Sequence, residues 1–120
     1  MRVLALLARA LPGYDSADFV NGNAAPGDRA LGLGFEHVRH YLDIPFDSWR
    51  GIPELRPLSQ IQDPYLLARA LHEEGYDWLM LHLKEPHNQE AYRYSEFAER
   101  YGKLVFREGD YVVYRLTPAP

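Results

Sequence analysis

The segment Asp63–Leu83 restricts the fold more than any other part of the sequence, because a capped helix, a tight turn and a buried strand follow one another in it. Asp63 can accept hydrogen bonds from the free N–H groups of a first helical turn, and Pro64 suits the first helical position, where no N–H is needed. Gly75 can take the left-handed conformation that ends a helix. We therefore predict a helix from about Pro64 to Glu74. Its apolar stripe comprises Leu66, Leu67, Ala70 and Leu71.

The residues after this helix predict a strand covered on both faces. Trp78–Leu83 is apolar except for His82, and such a run is typical of a central strand in an α/β sheet. Further on, Ser95–Gly102 predicts a short helix. Leu104–Phe106 and Tyr111–Leu116 are rich in β-branched and aromatic residues, and they predict a C-terminal β-hairpin.

The N-terminal part of the chain predicts two helices and a strand. Residues 1–12 have apolar positions on one side of a helix. Two interpretations are open: a terminal helix packed on the domain, or an amphipathic segment that lies at a membrane surface or is the frayed remainder of a longer element. A second helix is expected to start near Asp15, as its cap, and to end around Asn21–Asn23. Arg29–Phe35 then predicts the first strand, in which Gly32 and Gly34 allow another group to approach closely.

Together these elements predict a single α/β domain over residues 1–120, with a loose tail at 117–120. We expect a small mixed sheet of about four strands flanked by helices, with the first strands largely parallel. The segment 36–62 is expected to be a long irregular connection. The predicted core residues are Leu31, Leu33, Leu67, Leu71, Leu79, Leu81, Phe97, Val105, Val112 and Tyr114.

Composition excludes several classes of protein. The formal net charge is -4, which argues against a nucleic-acid partner. The chain has no cysteine, so neither a disulfide framework nor a thiolate zinc site is available. No apolar run approaches the ~20 residues that are needed to cross a bilayer.

No pattern in the sequence predicts a catalytic site or a bound cofactor. None of the four serines has the flanking glycines of a nucleophile elbow. His37 and His40 could face one metal ion if their segment were helical, but no third ligand is tied to them by spacing. We therefore expect no metal site.

Topology predicts where a ligand would bind. In open α/β sheets, ligands bind at the carboxyl ends of parallel strands. In this chain the residues that follow the first strand and the strand after the central helix would meet at that edge, which mixes both charges. These candidate ligand-binding residues are Gly34, Glu36, His37, Arg39, His40, Lys84, Glu85 and His87.

The order of motifs along the chain resembles one known family. The motifs are YDSADFVNGNAAPGDRALGLG, HYLDIPF, LLARALHEEGYDWLMLHL and FAERYGKLVFREGDYVVYRL. They are similar to the extracytoplasmic C-terminal domain of polytopic glycosyltransferases that use polyprenyl-phosphate sugars, the protein mannosyltransferase and aminoarabinose transferase superfamily. The resemblance extends from about Tyr14 to Leu116 and includes a YYLD-like segment at His40–Asp43, a helix closing in GYDWL and a final strand VVYRL.

The resemblance implies a non-catalytic accessory domain that helps to position an acceptor or a lipid-linked sugar donor at the extracytoplasmic face of a membrane. Its partner would be the membrane-embedded part of the same polypeptide or another membrane protein. The catalytic acids of that superfamily lie in loops among its membrane helices, so no catalytic residue is carried over to this sequence. The alternative hypothesis is a free-standing module that binds a small molecule or a metal, which Gly32, Gly34, His37 and His40 favour.

Overall fold

The computed structural model describes residues 11–48, 61, 63–83 and 98–116, which form a five-stranded mixed sheet with helices on both faces. The predicted α/β class is therefore confirmed. The strands are β1 (Ala30–Leu33), β2 (Phe46–Ser48), β3 (Trp78–His82), β4 (Gly102–Glu108) and β5 (Tyr111–Leu116). The helices are α1 (Tyr14–Asn23), a 3₁₀ helix (Glu36–Tyr41) and α2 (Pro64–Glu73). Residues 98–101 are also helical.

The strands lie in the order β2-β1-β3-β5-β4 across the sheet. β1 pairs in parallel with both β2 and β3, whereas β5 pairs antiparallel with both β3 and β4. The predicted C-terminal hairpin is confirmed, and so is a parallel first part of the sheet. β3 lies at the centre and joins the two parts.

The prediction of about four strands is too low, because the sequence gives no signal for β2. This strand has 3 residues and lies in the segment that was expected to be an irregular connection. Its sequence, Phe46-Asp47-Ser48, contains a single apolar residue and so lacks the pattern of a buried strand. It exists because its backbone pairs with β1, with Ala30 opposite Phe46 and Gly32 opposite Ser48.

The central helix α2 has the predicted caps. Asp63 Oδ1 accepts hydrogen bonds from two backbone N–H groups of the first turn, at 2.8 and 3.1 Å. Gly75 follows the helix with a φ of 87°. The expected place of Leu66 in the apolar stripe is wrong, since its side chain is 54% exposed. Leu66 points about 100° away from the buried Leu67 around the helix axis, and Ala68 on the other side of Leu67 is buried.

Helix α1 begins at Tyr14, and a residue far away in the sequence fixes its N-terminus. Gly13 precedes the helix with a φ of 88° and provides no side-chain cap. Glu108, the last residue of β4, accepts hydrogen bonds from the backbone N–H of Ser16 at 3.1 Å and from its hydroxyl at 2.9 Å. Asp15, the predicted cap, lies inside the first turn. The carboxylate of Glu108 also suits the positive end of the helix dipole.

The sheet separates two apolar clusters, one on each face. The first lies under α2 and is formed by Leu31, Leu33, Leu67, Ala68, Leu71, Tyr76, Leu79, Leu81, Ala98, Val112 and Tyr114. The second lies under α1 and is formed by Ala17, Val20, Ala30, Phe35, Val38, Phe46, Trp78, Met80 and Val113. Of the predicted core, Val105 is only partly buried and Phe97 falls outside the described residues, whereas the other members are buried.

Another group was expected to approach closely at Gly32, and in the structure this group is the side chain of Phe46. A Cβ atom added to Gly32 would overlap the ring of Phe46 and would lie 3.4 Å from the backbone oxygen of Met80. Gly32 is therefore needed because the ring of Phe46, on the neighbouring strand, occupies the space that a Cβ atom would take. A ligand does not have to be invoked to explain this glycine.

Replacing Leu79 by alanine tests the burial of the central strand on the face that α2 covers. Leu79 is 0% exposed in the cluster under α2, so Leu79→Ala should lower the free energy of unfolding by about 2–5 kcal/mol. Leu66→Ala is the matched control, because Leu66 is 54% exposed and should change stability by less than about 0.5 kcal/mol. Denaturant unfolding monitored by tryptophan fluorescence measures both. Equal losses in the two variants would show that β3 is not buried.

The interaction between Glu108 and Ser16 can be tested in the same way. Glu108→Ala removes the acceptor for a backbone N–H of α1 and should cost about 1 kcal/mol of stability, as the loss of a helix cap does. Glu73→Ala is a control of the same charge, because Glu73 makes only a 3.7 Å surface contact with Arg69. Urea titration of both variants should separate them. A Glu108→Ala protein as stable as the control would mean that α1 does not depend on this contact.

Candidate functional site

The order of the described strands reverses at the carboxyl ends of the parallel strands, and we call the region at this point the crevice. The chain runs from β1 to β2 on one side of β1 and then crosses to β3 on the other side. In open α/β sheets, ligands bind outside the carboxyl ends of the strands at the point where the order reverses in this way. Here that point lies between the end of β1, at Leu33, and the end of β3, at His82.

The β1 side of this crevice contains two of the predicted residues, Gly34 and Glu36. Gly34 is buried and has a φ of 81°, so the chain turns sharply at the end of the strand. Glu36 is half-buried and accepts a hydrogen bond of 2.6 Å from the hydroxyl of Ser48, which is 6% exposed at the end of β2. A carboxylate is thus fixed beside the ends of two parallel strands, where it can accept hydrogen bonds from a ligand.

The same 3₁₀ helix, which begins at Glu36, also contains the predicted residues His37, Arg39 and His40. Not all of these three lie at the crevice. His37 Nε2 lies 2.5 Å from the carbonyl oxygen of Pro12, so Nε2 carries a hydrogen and donates it. The guanidinium of Arg39 lies 6.0 Å from the centre of the Phe46 ring, over the face that α1 covers. His40 is exposed. The structure therefore brings Gly34 and Glu36 together at the crevice and places Arg39 to one side.

The β3 side contains a residue pair that the sequence analysis does not select. The rings of His82 and Tyr111 are stacked, with centroids 4.1 Å apart and an angle of 2° between the planes. Tyr111 also meets the edge of Phe35 at 5.1 Å, and His37 at 6.1 Å. The other predicted residues of this side, Lys84, Glu85 and His87, lie outside the described residues.

The signal that could have revealed this pair is the strand pairing. His82 and Tyr111 are directly opposite in the antiparallel register of β3 and β5, and opposite residues share a face of the sheet. His82 is the polar residue in the apolar run Trp78–Leu83, and its stacking on Tyr111 of β5, about thirty residues later, explains its presence there. Sequence spacing does not give this register, because the length of the intervening chain does not fix it.

The histidines of the 3₁₀ helix do not form a metal site with their described neighbours. Within residues 11–48, 61, 63–83 and 98–116, no group of three or more His, Cys, Asp or Glu side chains is arranged to hold a metal ion. His37 uses Nε2 for the Pro12 carbonyl, which leaves only Nδ1 as a possible ligand atom.

A dense polar network lies at the amino ends of the parallel strands, opposite the crevice. We call this side of the sheet its amino edge, and the network joins strands and helix there. Asp47 Oδ2 accepts hydrogen bonds of 2.6 Å from both Arg29 Nη2 and the Tyr76 hydroxyl, and Arg29 Nη1 donates to the carbonyl of Glu74 after α2. Burial, followed by the hydrogen bond to Asp47, raises the pKa of Tyr76 far above its ordinary value. This network ties β2 and α2 together, so we assign it a structural role.

Asp28 is the buried carboxylate of this edge. It is 8% exposed and accepts hydrogen bonds from the Ala25 backbone N–H and from Trp78 Nε1, both at 2.9 Å. Burial alone would raise its pKa, but these hydrogen bonds and the nearby charge of Arg115 together hold the pKa below the ordinary value of 3.8. Asp28 thus fixes the turn before β1 to the first residue of β3.

Comparison of the chain with protein-family models, with curated proteins and with solved structures gives no match. The resemblance to the C-terminal domains of polyprenyl-phosphate-sugar transferases consequently stays a prediction.

The lowered pKa of Asp28 predicts a pH dependence of stability. Its folded pKa lies below the unfolded value, so its contribution is present above about pH 3.8 and is lost as the pH falls through the folded pKa. Asp28→Asn should be less stable than the wild type at pH 7, because the neutral amide is a weaker acceptor for Trp78 Nε1. Urea midpoints at pH 7, 4 and 2.5 should show the difference shrinking in acid. A difference that is constant with pH would contradict this assignment.

Proposed function

We propose that this chain is a non-catalytic accessory domain of a membrane glycosyltransferase that uses polyprenyl-phosphate sugars. It would help to position the acceptor or the lipid-linked donor at the extracytoplasmic face of the membrane. Its partner would be the membrane-embedded part of the same polypeptide or another membrane protein. The family resemblance motivates this proposal.

The observation that supports a ligand-contacting role is the crevice between the carboxyl ends of β1 and β3. The strand order reverses there, and the half-buried Glu36 and His82 lie at its two sides. A carboxylate that accepts from sugar hydroxyls and an imidazole that can donate or accept are groups suited to a carbohydrate. The buried ring of Phe35 meets the half-buried ring of Tyr111 edge to face, and Tyr111 in turn stacks on His82, so these aromatic contacts hold the β3 side in place.

A phosphate group would need a cation, and Arg39 is the candidate among the predicted residues. Its guanidinium is exposed and lies beside Phe46, on the 3₁₀ helix that begins at the crevice residue Glu36. Guanidinium groups bind phosphate through paired N–H donors, which an ammonium group cannot do with the same geometry. His40 is on the same 3₁₀ helix and is also exposed. We propose that the sugar occupies the crevice and that the phosphate approaches this helix.

Within the residues that the structure describes, none of the helices is long and apolar enough to cross a bilayer.

The proposal can be tested by NMR with a water-soluble, short-chain polyprenyl-phosphate sugar. Shift changes should be concentrated on Gly34, Glu36, His37, Arg39, His40 and His82, together with Lys84, Glu85 and His87. Arg39→Ala should weaken binding by about tenfold, the effect of losing one charged hydrogen-bonding partner. Arg69→Ala is the matched control, because Arg69 is an exposed arginine on α2. Equal affinities of the two variants, or no shifts with the ligand, would reject this ligand class.

Zinc titration tests the alternative of a free-standing metal-binding module. If the proposed function is right, zinc should bind weakly and His37→Ala should have little effect, since Nε2 of His37 already donates to Pro12. Stoichiometric tight binding that is lost in both His37→Ala and His40→Ala would favour the metal module. Isothermal calorimetry distinguishes the two results.

A further inference from the structure

The side chain of Asn21 joins the last turn of α1 to the end of the 3₁₀ helix. Its Nδ2 donates to the backbone carbonyl of Tyr41 at 2.7 Å, and its Oδ1 accepts from the backbone N–H of Asp43 at 2.7 Å. A carbonyl only accepts and a backbone N–H only donates, so the two partners hold the carboxamide in one orientation. We call this pair of hydrogen bonds the Asn21 bridge.

The residue after Asn21 is a glycine that the described structure does not require. Gly22 lies within α1 and is not among the glycines with a positive φ. A Cβ atom added to it would meet none of the described atoms within 4 Å. Alanine would therefore fit at this position and would favour the helix more than glycine does. Within the described part of the chain, neither backbone conformation nor packing explains Gly22.

An asparagine that is followed by a glycine has a specific chemical reactivity. The backbone nitrogen of the glycine loses its proton and attacks Cγ of the asparagine, and the side-chain nitrogen leaves as ammonia. Water then opens the cyclic imide at either of its carbonyl carbons, which produces aspartate or isoaspartate. Glycine permits the attack because no side chain stands beside the attacking nitrogen. Asn21 is the one asparagine in the sequence that precedes a glycine.

The fold restrains both groups that take part in this reaction. The carboxamide of Asn21 would have to give up the two hydrogen bonds of the Asn21 bridge in order to reorient. Gly22 lies within α1, where the backbone N–H donates to the carbonyl four residues earlier. The reaction therefore proceeds through opening of the last turn of α1, and its rate follows the population of the open form.

The product of the reaction does not fit the Asn21 bridge. A carboxylate at position 21 has no hydrogen to donate, so one of its oxygens would face the carbonyl oxygen of Tyr41, acceptor against acceptor. The new negative charge would also lie in the last turn of α1, where the helix dipole disfavours an anion. Isoaspartate adds a carbon atom to the backbone and interrupts the helical repeat.

We propose that Asn21-Gly22 is a site of spontaneous deamidation that the fold restrains, and that the reaction detaches the end of the 3₁₀ helix from α1. The inference stands apart from the proposed function, because it needs no ligand and no partner. If both hold, deamidation alters the binding site, since Arg39 and His40 directly precede Tyr41 on the 3₁₀ helix. The modification would then lower the affinity for a phosphate group.

Incubation of the full chain in mildly alkaline buffer, followed by peptide mass spectrometry, tests this proposal. Deamidation replaces a side-chain NH₂ group by OH, and fragmentation of the peptide locates the change in mass. Asn21 of the folded wild type should react, but at least about tenfold more slowly than in the chain unfolded in urea, because the reaction needs the open form. Asn23 is the internal control. It is an exposed asparagine in the same turn, precedes Ala24, and should stay unmodified.

Gly22→Ala tests the chemistry without changing the Asn21 bridge. It should slow the reaction at least about tenfold in both the folded and the unfolded chain, because a methyl group then stands beside the attacking nitrogen. Thermal unfolding should show a higher melting temperature for this variant, since alanine favours the helix.

Asp43→Pro tests the restraint, because it removes the N–H that Oδ1 of Asn21 accepts from. The preceding residue, Leu42, already has the extended conformation that a following proline requires, with φ −82° and ψ 134°. The variant should deamidate several-fold faster than the wild type. Asp43→Ala is the matched control, since it keeps the N–H and should react like the wild type. Circular dichroism establishes that each variant is folded, and the ratio of the folded to the unfolded rate in the wild type decides if Asp43→Pro is not.

Asn21→Asp reproduces one product of the reaction and tests the detachment. Its NMR spectrum should show shift changes at residues 39–43 and faster hydrogen exchange at the N–H of Asp43. Unchanged spectra there would overturn the proposal. So would equal rates of deamidation in the folded and the unfolded chain, equal conversion of Asn23, or no conversion of the folded wild type over many half-lives of the unfolded chain. None of these results bears on sugar-donor binding, which the NMR titration with the ligand measures independently.

Discussion

The structure depends on the pairing of β3 with a strand on each side. β3 bonds in parallel to β1 and antiparallel to β5, so it is the single strand that joins the parallel part of the sheet to the C-terminal hairpin. Its side chains alternate between the two apolar clusters: Leu79 and Leu81 lie under α2, whereas Trp78 and Met80 lie under α1. Loss of β3 would therefore remove contacts from both clusters and both helices together. The caps of α2 and the long-range cap of α1 are secondary to it, because they orient helices that the clusters already hold.

The two edges of the sheet have different roles for a physical reason. At the amino edge, the buried Asp28 and the shared acceptor Asp47 are satisfied by donors from other elements, so their charges are used internally. At the carboxyl edge, Glu36 is held by one serine hydroxyl and remains half-buried, and His82 has one face against Tyr111. A polar group that is fixed but partly accessible can still bind a ligand, whereas a fully paired buried one cannot without losing its partners.

Much of the fold can be predicted from short stretches of the sequence. The candidate site can be predicted only in part. The bounds and caps of α2, the apolar strand β3, the hairpin and most of the core are all predicted from spacing and turn residues. The sequence also gives Gly34 and Glu36 as residues at the carboxyl edge. It misses β2, because a 3-residue strand with one apolar side chain has no pattern of its own. It also misses Ser48 and Tyr111, since their places depend on the neighbours that β1 and β3 acquire in the sheet.

The sequence by itself determined the elements whose signals are local: a capped helix, a strand buried on both faces and a terminal hairpin. These follow from hydrogen-bonding groups and apolar spacing within about ten residues, and these signals do not depend on distant parts of the chain. Only the tertiary structure decided the strand order, the cap that Glu108 provides for α1 and the stacking of Tyr111 on His82. Each of these features joins residues that are far apart in the chain. Their positions relative to one another are set when both faces of the sheet pack at once.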